Sequence, residues 1–283
     1  MSNMKKNIWI NEFYTEDNDI CISLRITDYI YKSRSKFQSI DIVNTSDWGK
    51  VFFLDNIVMT CDKYEFIYHE MITHVPLFAH PNPKKVLIIG GGDGGTAREI
   101  LKHKCIEKVD MVEIDEEVIE ASRKYLGNLS CSFDDKRLNL IIGDGIEFVK
   151  NKDCEYDLAI VDSTDPFGPA EGLFNEEFYR NLYHSLKDDG FFVCQSESPF
   201  YYEEFQKKLS NTLKRVFPNV YVYTATIPMY PGSLWTFTMG SKKIDPKKIF
   251  KKEKLDKYKM KYYNYDIHQA CFALPEFVKK IFE

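Results

Sequence analysis

Apolar and polar positions exchange with period two over Asp19-Ile-Cys-Ile-Ser-Leu-Arg-Ile-Thr27 and again over Phe37-Gln-Ser-Ile-Asp-Ile-Val43. Gly49-Lys-Val-Phe-Phe-Leu54 is a short apolar run closed by an Asp55-Asn56 turn. Period two marks half-buried strands, so residues 1–60 read as a small antiparallel sheet. From Glu65 to Phe78 the spacing becomes helical, with Phe66, Ile67, Met71 and Val75 on one face. Pro76 is expected to break or kink that helix, and Pro81 and Pro83 mark a connector.

From Lys85 onward apolar runs and helical stretches alternate. Val86–Ile89 leads into Gly90-Gly-Gly-Asp-Gly-Gly95, Val109–Ile114 precedes a helical stretch at Glu116–Tyr125, and Leu138–Ile142 ends in Gly143-Asp-Gly145. Asp157–Val161 ends in Asp162-Ser-Thr-Asp-Pro166, followed by a helical stretch near Glu176–Leu186, the strand Phe191–Cys194 and a helix near Glu203–Val216. Continuous apolar strands between helices predict a parallel sheet covered on both faces. Val220–Ile227 and Leu234–Met239 are joined by six residues, too few for a parallel crossover, so that pair should be antiparallel. The predicted class is α/β, a Rossmann-like doubly wound sheet (63–283) behind a small N-terminal antiparallel β domain (1–62).

Composition narrows the function. Of 283 residues 44% are apolar, enough for a large core, and 38 Lys+Arg against 43 Asp+Glu argue against a nucleic-acid partner. No apolar run reaches the ~18 residues a membrane span needs, and the N-terminus does not read as a signal peptide. Seven cysteines stand singly and the histidines lack metal spacing, so neither a disulfide framework nor a metal is expected, and the thiols suit the cytoplasm. Ten lysines against three acids in 242–261 read as a solvated face or linker.

Parallel α/β sheets bind ligands beyond the carboxyl ends of their strands. Here those ends are Gly90–Gly95, Glu113, Asp144-Gly145, Asp162–Asp165 and Gln195. Gly90, Gly92 and Gly95 satisfy GxGxxG, and Glu113 follows Gly95 by 18 residues, where ribose hydroxyls are held. That signals a nucleoside-bearing ligand without saying which. Asp93 decides further: inside the glycine loop it would repel a pyrophosphate by ~1 kcal/mol even in water, and more in a cleft. Asp144, Asp162 and Asp165 extend the pattern. Any one could be a helix cap or turn former, but together they predict a cleft for a ligand with more than one positive charge.

These residues resemble the polyamine aminopropyltransferases, the spermidine synthase family. The GGGDGGTARE run in 84–101 looks like its glycine loop, and Asp162-Ser-Thr-Asp-Pro-Phe-Gly-Pro-Ala170 is similar to its active-site covering loop. Phe66-Ile-Tyr-His-Glu70 and Ile227-Pro-Met-Tyr-Pro231 match two further segments. The resemblance runs from about Trp9 to the end of the chain. It implies decarboxylated S-adenosylmethionine as co-substrate, with no other cofactor, and a diamine acceptor. Glu113 would hold the donor's ribose, and Asp144, Gly145 and Pro169 its adenine. Gln38 would reach the nucleoside end beside Gly90 and Gly92. Asp93 would bind an amine, Tyr68, His69 and Tyr230 would line the diamine channel, and Asp162 would accept the proton. Ser163 and Asp165 would sit across the acceptor site, with Gln195 and Trp235 as wall residues. A homodimer or homotetramer built partly through the N-terminal sheet is implied as well. The chain departs from the family at Cys61-Asp62-Lys63-Tyr64-Glu65, where Tyr64 replaces a common acid. It departs again at Met229-Tyr230-Pro231-Gly232-Ser233, with Met for Thr and Gly-Ser inverted.

The implied chemistry is attack of a neutral putrescine amine on the aminopropyl carbon beside the sulfonium, giving spermidine and 5'-methylthioadenosine. An amine with a Lys-like pKa is ~99% or more protonated at neutral pH, so a base is required. An S-adenosylmethionine methyltransferase would look alike in sheet and ribose acid, but Asp93 is hostile to a methionine carboxylate. A polyamine-binding protein without turnover needs no nucleoside site, and a nicotinamide dehydrogenase meets the pyrophosphate objection.

Overall fold

The computed structural model describes residues 8–13, 20–165, 168–250, 255 and 257–283, the side chains of 168 and 169 excepted. Strands β1 (Ile8–Phe13), β2 (Cys21–Arg34), β3 (Ser39–Thr45), β4 (Gly49–Leu54) and β5 (Ile57–Cys61) form one antiparallel sheet in sequence order. Asp55 and Asn56 take φ of 46° and 66°, the left-handed pair that a two-residue hairpin between β4 and β5 demands. β1 and β5 were not singled out by alternation, and β2 runs seven residues past the predicted Thr27.

Helix α1 (Glu65–Ala79) contains Pro76 and is not ended by it. The proline falls in the last turn, where one lost N–H bond is tolerable, and the His80 N–H then bonds the Pro76 carbonyl at 3.1 Å. The chain continues through β6 (Lys85–Gly90), α2 (Gly95–Leu101), β7 (Lys108–Glu113), α3 (Glu116–Tyr125), β8 (Leu138–Ile142), α4 (Gly145–Lys150) and β9 (Tyr156–Asp162). It goes on with α5 (Glu176–Ser185), β10 (Leu186–Gln195), α6 (Glu203–Val216), β11 (Asn219–Thr226), β12 (Leu234–Ser241), α7 (Tyr265–Ala270) and α8 (Glu276–Phe282). The second sheet has the order β11-β12-β10-β9-β6-β7-β8. β10, β9, β6, β7 and β8 are parallel, and β12 is antiparallel to both neighbours; against β11 the short 228–233 connection requires it.

Side chains of β6 separate by period two. Val86 and Ile88 join the core under α1 and α2, while Leu87 and Ile89 join the core under α4, α5 and α6. A sheet buried on both faces explains why its strands read as unbroken apolar runs. α3 places Val118 and Ala121 against Ile40, Ile42, Phe52 and Leu54 and so docks the N-terminal sheet over the carboxyl ends of the parallel strands. Strand order reverses between β6 and β9, the switch point where such folds open a ligand crevice. In the 242–261 stretch, residues 251–254 and 256 lie outside the described residues. The described lysines there are exposed apart from half-buried Lys242, as a solvated face requires.

Candidate active site

The crevice at the switch point is a cleft enclosing about 920 Å³, part of it open to solvent. Its floor is Gly90, Gly92, Asp93, Glu113, Asp144, Gly145, Asp162 and Ser163 from the strand ends. Gln38, Phe52, Leu54 and Met59 from the N-terminal sheet form its roof. Gly90 is at φ +82°, and an added Cβ would stand 2.3 Å from the Asp162 carbonyl, so only glycine lets β6 and β9 finish this close together. Glu113 ends β7, and burial pushes its carboxyl up to about 7 although the Asp115 N–H, bonded at 3.0 Å, works against that. Asp144 caps α4 through the Ile146 N–H at 2.7 Å, so here a cap and a cleft residue coincide. Gln38 donates to Asp115 at 3.0 Å, which turns its amide into the cleft roof. Pro169 was expected over this end; its side chain lies outside the described residues.

A second cavity of about 340 Å³ adjoins the first: Met59, Tyr68, Ser163, Thr164 and Tyr230 line both. Its far wall is Glu12, Asp165, Gln195 and Trp235. Four polar atoms of lining residues are buried without a hydrogen-bond partner: Ser163 Oγ, Asp165 Oδ2, Trp235 Nε1 and Glu12 Oε2. Buried polar atoms are rarely left unpaired, so these four give the cavity a polar lining able to bond a polar guest. No lysine or arginine lines either cavity among the described residues.

Asp162 stands beside the junction. Its Oδ1 accepts from the Tyr68 hydroxyl at 2.5 Å and its Oδ2 from Thr96 at 2.7 Å. Burial, and then the nearby Asp93, raise its pKa; His69 and the two hydroxyls pull the other way. Burial likewise raises Asp165, against a hydrogen bond with Glu197. Tyr230 donates to the Met59 carbonyl at 2.8 Å and packs edge-on against Tyr68, so both tyrosines are fixed walls.

One expectation changes. His69 is not among the residues lining either cavity: its ring is 1% exposed, lies between Glu65 and Asp93 and stands edge-on to Tyr68. Sequence reasoning also missed Glu12, which is 2% exposed, with Oε1 accepting the Val58 N–H at 3.0 Å. Burial, reinforced by Asp165, drives its carboxyl up to about 8 against the Val58 bond. The available signal was a glutamate on the inward face of the Ile8-Ile10-Glu12 alternation. Glu197, fully buried two residues beyond Gln195, was missed too; Gln195 Nε2 bonds it at 3.0 Å. Among the described residues, metal-ligating side chains gather only at His80, Asp157 and Asp189, at the opposite end of β9. There Asp157 already accepts two backbone N–H groups and Lys187.

The sheet order and the switch-point crevice define a Rossmann-like α/β protein of the methyltransferase type, with a nucleoside-sized cleft adjoining a carboxylate-walled one. Residues 65–252 match the family profile described as "Spermine/spermidine synthase domain", and residues 8–62 match "Spermidine synthase tetramerisation domain". A polyamine aminopropyltransferase of Caldicellulosiruptor saccharolyticus is 51% identical over 276 residues, covering 98% of each chain. One from Methanocaldococcus jannaschii is 47% identical, covering 98% of this chain and 96% of that one. A solved spermidine synthase in complex with the transition-state analogue AdoDATO superposes with TM-score 0.95 at 48% identity, covering 98% of this chain and 96% of that one. The spermidine synthase from Thermotoga maritima gives 0.94 at 48%, covering 98% and 95%. The chain belongs to the spermine/spermidine synthase family.

Proposed function

We propose that this chain is an aminopropyltransferase that moves the aminopropyl group of decarboxylated S-adenosylmethionine to putrescine, producing spermidine and 5'-methylthioadenosine. The observation that carries the reading is the pair of adjoining cavities. One has the carboxylate and glycines suited to a nucleoside; the other ends in buried carboxylates suited to an ammonium. In this reading Glu113 holds the ribose, and Gln38, Asp144, Gly145 and Pro169 frame the base. Gly90 and Gly92 let the sulfonium end approach the backbone, and Asp93 receives an amine. Tyr68, Ser163 and Tyr230 guide the diamine past Asp162, while Glu12 and Asp165, walled by Gln195 and Trp235, hold its distal ammonium.

The reaction balances simply. The nitrogen lone pair forms the new C–N bond, the C–S bond breaks, and sulfur keeps its electron pair as a neutral thioether. The proton that the attacking ammonium must shed goes to Asp162, whose burial makes it a better base than an exposed carboxylate. Alignment of nitrogen, carbon and sulfur across the junction supplies the remainder, since fixed geometry removes much of the entropic barrier.

Decarboxylated S-adenosylmethionine acts as co-substrate rather than resident cofactor. The same reading divides the chain after residue 62, between the end of β5 and the start of α1. It makes the protein a homo-oligomer, in keeping with the description of the profile that matches 8–62. Among the described residues no helix is long and apolar enough to cross a membrane, and all seven cysteines are free, which suits the cytoplasm we assign. The test is a product assay with putrescine and either donor. Methylthioadenosine and spermidine from the decarboxylated donor alone are expected; S-adenosylhomocysteine from ordinary S-adenosylmethionine would overturn the reading in favour of methyl transfer.

A further inference from the structure

Behind the glycine loop, charged side chains of alternating sign form a connected line leading away from the cleft. Asp93 accepts the Gly95 N–H at 2.6 Å with Oδ1, and its Oδ2 lies 3.4 Å from His69 Nε2. His69 Nδ1 is 2.7 Å from Glu65 Oε2. Arg98 grips both oxygens of Glu65, at 3.1 and 2.8 Å, and its Nε bonds Glu99 at 2.9 Å. Glu99 in turn meets His74 at 3.0 Å and Lys102 at 2.5 Å. His69 lies directly on Gly95: a Cβ there would be 2.3 to 2.5 Å from three ring atoms, so any side chain at 95 would displace the ring.

Both ring nitrogens of His69 therefore face carboxylate oxygens. A neutral imidazole has one N–H, and its other nitrogen would set a lone pair against an anion; only the doubly protonated ring satisfies both neighbours. We infer that Glu65 and Arg98, which line neither cavity, are positioning residues for the reaction: through His69 they present a cationic N–H to Asp93 and fix that carboxylate at the cleft. The electrostatics agree. Burial alone would lower His69, yet Asp93 and Glu65 lift it to about 10. Against burial, His69 and Arg98 hold Glu65 down at about 2.

The device reaches the proposed base. Asp162 is faced by Asp93 from the glycine loop, His69 and Tyr68 from α1, Thr96 from α2, Glu113 from β7 and Tyr230 from the β11–β12 connection. Among these His69 is the one cation, and it offsets part of what Asp93 and burial do to Asp162. The inference rests on the proposed reaction for its kinetic consequence but not for the state of the ring.

Two measurements test it. Neutron diffraction from ligand-free crystals near neutral pD should show deuterium on both His69 ring nitrogens; a singly protonated ring overturns the inference, whatever the enzyme does. In Glu65→Gln, His69 loses its second anion. The acid limb of kcat/KM should then move up by about one pH unit, and KM for the donor should rise about tenfold, as expected when a charge several ångströms from a buried acid is lost. Arg98→Lys, which keeps the charge but not the two-pronged grip, should be milder than Arg98→Met. An unchanged pH profile in a folded Glu65→Gln overturns the inference. If the wild type makes no methylthioadenosine, the proposed reaction fails instead, and the diffraction result alone decides the ring.

Discussion

Glu12→Gln should strengthen the fold and weaken the enzyme at once. In the unfolded chain Glu12 loses its proton near 4.5, whereas burial in the second cavity keeps it protonated to about 8. Across that window the unfolded state binds fewer protons than the folded one, so stability falls as pH rises from about 4.5 and levels off above about 8. At about 1.4 kcal/mol per pH unit the cost reaches at most roughly 5 kcal/mol. Glutamine mimics the protonated form, can still accept the Val58 N–H, and carries no such cost. Above pH 8 the variant should therefore melt higher than the wild type; even about 1 kcal/mol is worth some 2–4 °C in a chain of this size. Near pH 4 the two should melt together. Putrescine reverses the order, because its distal ammonium needs the charge that glutamine lacks. A hydrogen bond to a charged group is worth about 1.5–3 kcal/mol, so KM for putrescine should rise about 10- to 100-fold. Melting curves from pH 4 to about 9, with and without putrescine, and steady-state kinetics read both effects. A variant that melts with the wild type at high pH, or binds putrescine equally well, would refute the reasoning.

Three further outcomes are expected. Asp162→Asn should lower kcat by about 10²- to 10⁴-fold, the usual worth of a positioned base, with KM for putrescine little changed; near wild-type turnover would remove Asp162 from that role. Glu113→Gln should raise KM for the donor about tenfold or more with a smaller effect on kcat, since a charge-assisted bond to ribose would be lost; equal losses in both would contradict a ground-state binding role. Glu70 accepts the backbone N–H groups of Lys261, Tyr262 and Tyr263, each at 2.8 Å, and so ties the C-terminal segment to α1. Glu70→Ala leaves those groups unpaired and should cost about 3 kcal/mol or more, with faster amide exchange confined first to 261–263; uniform exchange would show that the tie is not local.

The parallel sheet was legible because its inner strands are buried on both faces, and Val86–Ile89 needed no alternation to be recognised. The antiparallel β11–β12 pair followed from the length of its connection alone. β5 was not legible: five residues after a tight turn carry too little pattern. β2 was read short because its far half is a largely exposed strand whose polar residues look like a loop. Pro76 does not break α1 because it falls in the last turn, where the helix is ending anyway. At the site, Asp93, Glu113, Asp144 and Asp162 were found because each follows a strand end or lies in a glycine loop. Glu12 was not, since it meets Asp165 only after β1 pairs with β2 and the N-terminal sheet docks on the other domain. No local pattern encodes a contact between residues so far apart. His69 was expected on the channel wall beside Tyr68 and Tyr230; its position behind Asp93 depends on how α1 packs against the glycine loop, which its local sequence does not encode.

In the proposed reaction donor and acceptor occupy the two adjoining cavities and meet at Asp162. A crystal structure of the protein with methylthioadenosine and putrescine tests this arrangement directly. The predicted result places the nucleoside against Glu113 and Asp144, one putrescine nitrogen in hydrogen-bond reach of Asp162, and the other between Glu12 and Asp165. Putrescine lying outside the second cavity, or entering with neither nitrogen near Asp162, would contradict it.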